Sequence, residues 1–188
     1  MLKYIEEAGK YVEITGFRNV SIGDAEEFVK VARKETPKSV WVQFFDAELV
    51  ASWQHLYFAV LNALLAFRNE RNISKSVAME AMLYASAQRQ IRKAIKLIGV
   101  KRASANVAVV IFGDKPDAVK ALLSVVSKRI GGEPDETILQ VSEEKAHGIR
   151  EAFGITAKEL ETVMEKNDGE QALVNLVIER MALLSTQL

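Results

Sequence analysis

Residues 49–67 read LVASWQHLYFAVLNALLAF, and residues 68–102 read RNERNISKSVAMEAMLYASAQRQIRKAIKLIGVKR. The first stretch has no acidic or basic side chain except His55, whereas the second has nine Lys or Arg residues and only Glu70 and Glu80 as acids. The whole chain is formally neutral. A neutral chain that concentrates cations in one segment is suited to meet an anion there, with nucleic acid as the first candidate. A solvated helix face rich in Lys and Arg is the alternative.

The apolar stretch 49–67 is long enough to be tested as a membrane span. Its 19 residues match the length that a bilayer core requires. However, Ser52, Gln54, His55 and Asn62 interrupt it, and each would need a hydrogen-bond partner in lipid. The pattern therefore predicts the central buried helix of a domain outside the membrane. His55 is then expected to be a core histidine rather than a ligand or a base.

Length and cysteine content narrow the class of protein. A chain of 188 residues suits one domain with a substantial core, and we expect that domain to span residues 1–188. Cysteine is absent, which excludes a disulfide framework, a thiolate metal site and a cysteine nucleophile. The N-terminal residues MLKYIEEAGKYVEI are too charged for a secretory signal. We therefore expect a cytoplasmic protein.

Hydrophobic patterning predicts strands and helices that define an α+β domain. Strands are expected at residues 10–17, 40–45 and 106–112. Helices are expected at residues 24–34, 46–70, 74–99, 116–129, 142–153, 156–166 and 169–184. Asp24, Asp46, Thr156 and Asp168 are expected N-caps. The predicted architecture is a helical core packed on a small mixed β-sheet.

The sequence contains no motif that nominates an active site. His55 and His147 lie far apart and lack the spacing of metal ligands. The turn FGDKPD at residues 112–117 has too few glycines to bind a phosphate in a loop. We therefore predict a binding or scaffolding protein with no enzymatic activity, cofactor or metal. A small enzyme whose site no motif reveals stays an alternative.

The spacing of the cations is more specific than their number. Arg89, Arg92, Lys93 and Lys96 fall at i, i+3, i+4 and i+7, which predicts one basic stripe on a helix. The opposing apolar stripe, expected to face the core, comprises Ile91, Ala94, Ile95 and Ile98. The preceding connection adds cations and side-chain amides. Such a surface suits a phosphodiester chain.

A set of motifs follows the apolar helix in a fixed order. The pattern S-x-x-x-E-x-x-x-Y-x-S occupies Ser76, Glu80, Tyr84 and Ser86. The triplet RQI and the helix end AIKLIG come next, and NVAVVIFGD follows at residues 106–114. Together with DAELVASWQHLYFA before them, these motifs resemble the small kinase-binding subunit of the KEOPS (EKC) complex. The resemblance is specific over residues 40–114, and the basic version of RQI is similar to archaeal members.

The resemblance implies a non-catalytic accessory subunit with a mixed α/β domain. Such a subunit binds the amino-terminal lobe of the small atypical kinase/ATPase of the complex. The resemblance also implies that it recruits tRNA by its 3′ CCA end for threonylcarbamoylation of the adenosine beside the anticodon. A protein-only kinase adaptor that never contacts RNA is the alternative. A weak homodimer of the isolated chain stays open.

Candidate contacts follow from the basic segment, which we define as residues 68–102. A single-stranded CCA tail would need cations along its backbone and groups that stack on or hydrogen-bond to its bases. The expected backbone contacts are Arg68, Arg71, Lys75, Arg89, Arg92 and Lys93. The expected base contacts are Asn72, Tyr84, Gln88 and Gln90, where Tyr84 serves only if it is exposed and is otherwise a core aromatic. The expected kinase-binding residues are Leu173, Leu176, Val177 and Met181, with a place in the core as the alternative.

Overall fold

A five-stranded antiparallel sheet forms the centre of the molecule. The computed structural model describes residues 1–24, 27, 30, 37–164 and 168–186. The spatial order of the strands is β1-β2-β4-β3, and β5 pairs with the last two residues of β2. The strands are β1 (Leu2–Ile5), β2 (Lys10–Arg18), β3 (Val40–Asp46), β4 (Val107–Gly113) and β5 (Glu133–Pro134). The predictions of β2, β3 and β4 are confirmed, whereas the short strands β1 and β5 were not predicted.

Seven helices surround this sheet in the described part of the chain. They are α1 (Trp53–Arg68), α2 (Val77–Ala85), α3 (Ile91–Ile98), α4 (Pro116–Ile130), α5 (Glu143–Phe153), α6 (Ala157–Val163) and α7 (Gly169–Leu183). Thr156 and Asp168 cap α6 and α7 as predicted. Asp24 accepts a hydrogen bond from the Glu27 amide, but the predicted helix at residues 24–34 otherwise lies outside the described residues. The α+β class is confirmed.

Strand β4 is buried throughout and separates two hydrophobic clusters. Val107, Val109 and Ile111 pack with α4 on one face of the sheet. Ala108, Val110 and Phe112 alternate with them and pack with α1 and α2 on the other face. This alternation is the period of two that a strand imposes. A third cluster joins α5 and α7 through Ile149, Phe153 and Val177.

The sheet is antiparallel in every pairing that the structure describes, which differs from the mixed sheet predicted from the sequence. The reason is the path between β3 and β4. The chain leaves the sheet after Asp46, builds α1 to α3, and returns at Val107, which pairs with Asp46 itself. Because exit and return lie at the same end of the sheet, β4 runs opposite to β3.

The long apolar helix begins later than predicted. The Asp46 side chain accepts a hydrogen bond from the Glu48 amide and caps only a short 3-10 turn, Ala47–Leu49. The hydroxyl of Ser52 then accepts from the His55 amide at 3.1 Å and starts α1. The helix has 16 residues, and no helix in the described ranges is long and apolar enough to cross a membrane. The prediction of a core helix is right for the inner face of α1, whereas its outer face is half-exposed.

The predicted helix at residues 74–99 is in fact two helices. The amides of Ala87 and Gln88 donate to the carbonyls of Tyr84 and Leu83, which is the bonding of a Schellman motif. Ala87 has φ +50°, so the chain leaves the helical path there without a glycine. The Ser86 hydroxyl donates to the Met82 carbonyl at 2.8 Å. A turn at residues 86–90 therefore separates α2 from α3.

His55 is a core histidine, as predicted, and it joins α1 to α2. Its Nε2 lies 2.7 Å from the Ala85 carbonyl oxygen, and its Nδ1 lies 3.3 Å from the Ala51 amide nitrogen. A carbonyl only accepts and a backbone amide only donates, so the ring is neutral with its proton on Nε2. Complete burial is the largest cause that lowers the pKa of His55 from 6.5 to about 4.

We expect the stability of the protein to fall below neutral pH through His55. The folded-state pKa lies below the ordinary value, so the unfolded chain binds more protons between about pH 6.5 and 4. The contribution is complete above pH 6.5 and decreases as the pH falls toward 4. It amounts to about 2 kcal/mol between pH 7.5 and 5. Urea unfolding at these two pH values measures it.

Two single variants serve as controls for this pH dependence. His55→Gln should flatten the dependence in this range, because the titrating group is gone. His147→Gln removes an exposed histidine and should leave the dependence as in the wild type. A wild-type slope that survives in His55→Gln would contradict the assignment to His55.

Candidate nucleic-acid interface

The connection between α1 and α2 is held in place by the buried carboxylate of Glu80. Glu80 has no exposed surface, and its oxygens accept from the amides of Ile73 at 3.1 Å and Ser74 at 2.7 Å. The Asn72 side-chain amide donates to the Ser74 carbonyl at 2.9 Å. A buried carboxylate needs such charge-assisted hydrogen bonds, so Glu80 fixes the backbone of the connection. Glu80 is thus an internal anchor rather than a surface residue.

The predicted cations of this connection point outward. Arg71 and Lys75 are exposed on either side of the backbone that Glu80 holds. The Arg68 guanidinium donates to the Glu7 carbonyl at 2.7 Å, so it is tied to the turn between β1 and β2. Arg71 and Lys75 therefore present their charges to solvent, and Arg68 lies at the margin of the group.

The predicted basic stripe is only partly a helical stripe. Helix α3 begins at Ile91, so Gln88, Arg89 and Gln90 belong to the turn before it. Arg92, Lys93 and Lys96 lie on α3 and are exposed. A cationic surface therefore begins in the turn and continues along one short helix.

The apolar stripe of α3 corrects the prediction. Ala94 and Ile98 are fully buried, but Ile91 is 41% and Ile95 is 44% exposed. Helix α3 has eight residues and touches the core along one line, so only one i, i+4 pair reaches the interior. Ile91 and Ile95 lie one turn apart among the cations. One signal for this exposure was present in the sequence, since four apolar residues in a short helix exceed what a narrow contact can bury.

The predicted contacts fall into two groups rather than one. Arg68, Arg71, Asn72 and Lys75 lie at the N-terminal end of α2, and residues 88–93 follow its C-terminal end. Helix α2 has nine residues and so separates the groups by about 13 Å. A single ligand would have to be extended to reach both.

Tyr84 belongs to the core, which was the alternative to its predicted role as a base contact. It is 6% exposed and packs in the cluster of α1 and α2. Burial and the nearby Glu80 carboxylate raise the pKa of the Tyr84 hydroxyl, and Arg89 opposes them. The ring therefore offers no face on which a base could stack.

The residues predicted for kinase binding are also core residues. Leu173, Leu176, Val177 and Met181 are all buried, with at most 4% exposure. Three of them pack with α5, and Met181 packs with α1 and α2. Their spacing reflects the inner face of α7, so the prediction of a surface there is corrected.

Within the described residues, no three His, Cys, Asp or Glu side chains converge as metal ligands.

The class of protein that this fold and surface define is a small α+β binding protein with a cationic helical surface. A family model described as kinase binding protein CGI-121 matches residues 17–185. The Regulatory protein Cgi121 of Methanocaldococcus jannaschii is 35% identical over 126 residues, which cover 66% of this chain and 79% of that relative. The chain therefore belongs to the CGI-121 family of kinase-binding proteins, and the resemblance drawn from its motifs is confirmed.

We expect Glu80→Gln to loosen the connection between α1 and α2. The variant replaces one accepting oxygen with an amide that faces donors, which costs about 1–3 kcal/mol. Urea unfolding measures the loss, and hydrogen exchange at the Ile73 and Ser74 amides should accelerate. Glu70→Gln makes the same change of charge at an exposed position and should stay within about 0.5 kcal/mol of the wild type. Equal stability of both variants would refute the anchoring role of Glu80.

Proposed function

We propose that this protein is a non-catalytic accessory subunit of a KEOPS complex. In this proposal it binds the small atypical kinase/ATPase and recruits tRNA by the 3′ CCA end for threonylcarbamoylation. The observation that supports RNA recruitment is the arrangement of exposed cations in the basic segment. Some of them lie on the backbone that Glu80 fixes, and others lie beside two exposed isoleucines on α3. Membership in a kinase-binding family supports the kinase partner. We further propose one domain over residues 1–188 and a cytoplasmic location.

The cations supply the contacts to the RNA backbone. Arg71, Lys75, Arg92 and Lys93 are exposed, so their charges reach solvent. Phosphates that bind such cations release condensed counterions, which favours binding at low salt. The two groups of cations lie about 13 Å apart, the length of α2. An extended single strand reaches across this distance more readily than a compact anion.

The exposed isoleucines supply the apolar surface that unpaired bases need. Ile91 and Ile95 take the role that Tyr84 cannot fill, because their side chains are accessible and lie among the cations. Gln88 is half-buried and Gln90 is exposed at the start of α3, where their amides can hydrogen-bond to base edges. If the phosphates of the RNA bind the cations and its unpaired bases contact the isoleucines, the surface would select a single-stranded end.

We expect Arg92→Glu/Lys93→Glu to weaken tRNA binding strongly. Both residues are exposed, so the fold should tolerate the change. Affinity falls as salt rises, and loss of two phosphate contacts should make the plot of log affinity against log salt less steep by about 1 to 2. The measurement is a titration with intact tRNA and with tRNA that lacks its CCA tail, at low and at physiological salt.

A variant with the same change of charge controls for net electrostatics. Lys120→Glu/Lys128→Glu lies on α4, across the sheet from the basic segment, and should bind tRNA nearly as the wild type does. Equal weakening in both double variants would show a non-specific effect of charge. Negligible binding of both RNAs by the wild type would instead favour the protein-only kinase adaptor.

We expect Ile91→Ser/Ile95→Ser to remove the preference for the CCA tail. The affinity for intact tRNA should fall toward that for tailless tRNA, because the surface under the bases is lost. The salt dependence should stay unchanged, since no cation is altered. Circular dichroism checks that α3 persists. A retained tail preference would place the base contacts elsewhere.

A further inference from the structure

The outer face of α1 is apolar although it faces solvent. Seven residues of α1 are buried, and the opposite side of the helix is half-exposed from its first turn to its last. Phe58 is 37% exposed. Trp53, Tyr57, Leu61 and Leu65 accompany it, with the amides of Gln54 and Asn62 between them. This set of side chains is the α1 face.

The absence of charge on this face requires an explanation. A surface helix normally carries charged side chains on the side away from the core. From Trp53 to Phe67 the helix has no Asp, Glu, Lys or Arg. The first charge is Arg68, at the last residue of α1. An uncharged face on a solvent-facing helix is typical of a surface that another protein covers.

The aromatic side chains give the α1 face the composition of an interface centre. The rings of Trp53 and Tyr57 meet edge to face with their centroids 6.2 Å apart, and the centroids of Tyr57 and Phe58 lie 5.5 Å apart in the same arrangement. Tryptophan, tyrosine and phenylalanine are enriched at interface cores, where charged residues are depleted. Charged side chains stand at the margin: the Lys3 ammonium lies 4.1 Å from the Trp53 ring centroid, and the Arg68 guanidinium donates to the backbone carbonyl of Glu7. An apolar centre with a charged rim is the usual anatomy of a protein interface.

We infer that the α1 face is the docking surface for the kinase, which would meet it with an apolar surface of its own. The inference rests on the kinase binding in the proposed function, and the family description supports that class of partner. The four residues of α7 that were expected to serve are buried, so they cannot meet the kinase without unfolding α7. The basic segment suits an anion instead. The α1 face ends at Arg68, where the basic segment begins, so kinase and RNA can bind side by side.

A pair of variants with matched exposure tests this inference. Phe58→Glu places a charge in the centre of the α1 face. Val125→Glu places one at a 39% exposed position on α4, on the other side of the sheet. Calorimetric titration of the full chain with the purified kinase subunit of the same complex should show a loss of about thirtyfold or more for Phe58→Glu. Val125→Glu should bind as the wild type does.

Two further measurements keep the test decisive. Asn62→Lys adds a charge to the same face without removing apolar packing, so it should weaken kinase binding even if Phe58→Glu unfolds. The tRNA titration should be unaffected in all three variants. Selective loss of kinase affinity with intact tRNA binding supports the inference.

Three outcomes would overturn it. Wild-type kinase affinity in both α1-face variants would show that the kinase docks elsewhere, while kinase binding itself stands. A wild-type chain that does not bind the kinase at all would overturn both this inference and the proposed function. Sedimentation that shows a wild-type dimer, dissociated by Asn62→Lys with kinase affinity unchanged, would make a second copy the occupant of the face.

Discussion

The hydrogen bond between the His55 ring and the Ala85 carbonyl is the constraint on which the helical layer depends. It joins the first turn of α1 to the last residue of α2, and the other ring nitrogen holds the amide of Ala51. The ring must stay neutral to make both bonds, because a protonated ring would direct a donor at the Ala51 amide. One buried side chain therefore holds the C-terminal end of α2 against the start of α1.

Two other buried polar side chains complete the support of α2. The Gln43 amide on β3 donates to the Ala78 carbonyl at 2.8 Å, and Glu80 binds the backbone before the helix. Both act near the N-terminal end of α2, whereas His55 acts at its C-terminal end. All three bind backbone rather than side chains, so they fix positions of the chain independently of surface residues. The surface residues of α1 and α3 can thus vary in sequence while α2, which lies between these helices in the chain, stays in place.

Most strands and helices of this fold could be predicted from the sequence, and those that could not have physical causes. Strands β2, β3 and β4 stand out because both of their faces are buried, whereas β1 has four residues at an edge and leaves no pattern. The break between α2 and α3 was hidden because Ala87 adopts the left-handed conformation without a glycine. Periodicity identified the apolar residues of α3 and α7 but not their exposure. Ile91 was expected inside and is outside, and Leu176, for which both a surface and a core position were open, is buried, because exposure depends on neighbours distant in sequence.

The end of α1 has a consequence for the proposed binding of RNA by the basic segment. Glu70 has φ +55° and closes a Schellman motif through the bond from the Arg71 amide to the Ala66 carbonyl. Of the two acids in residues 68–102, Glu80 is buried, so Glu70 is the exposed negative charge of the segment. This motif fixes its backbone, so its exposed carboxylate is held in the connection that also carries Arg71. In the proposed RNA binding, a flexible strand can bend to keep its phosphates away from this carboxylate, which a stiff duplex with evenly spaced phosphates does less readily. Selectivity would then arise from a built-in repulsion as well as from attraction.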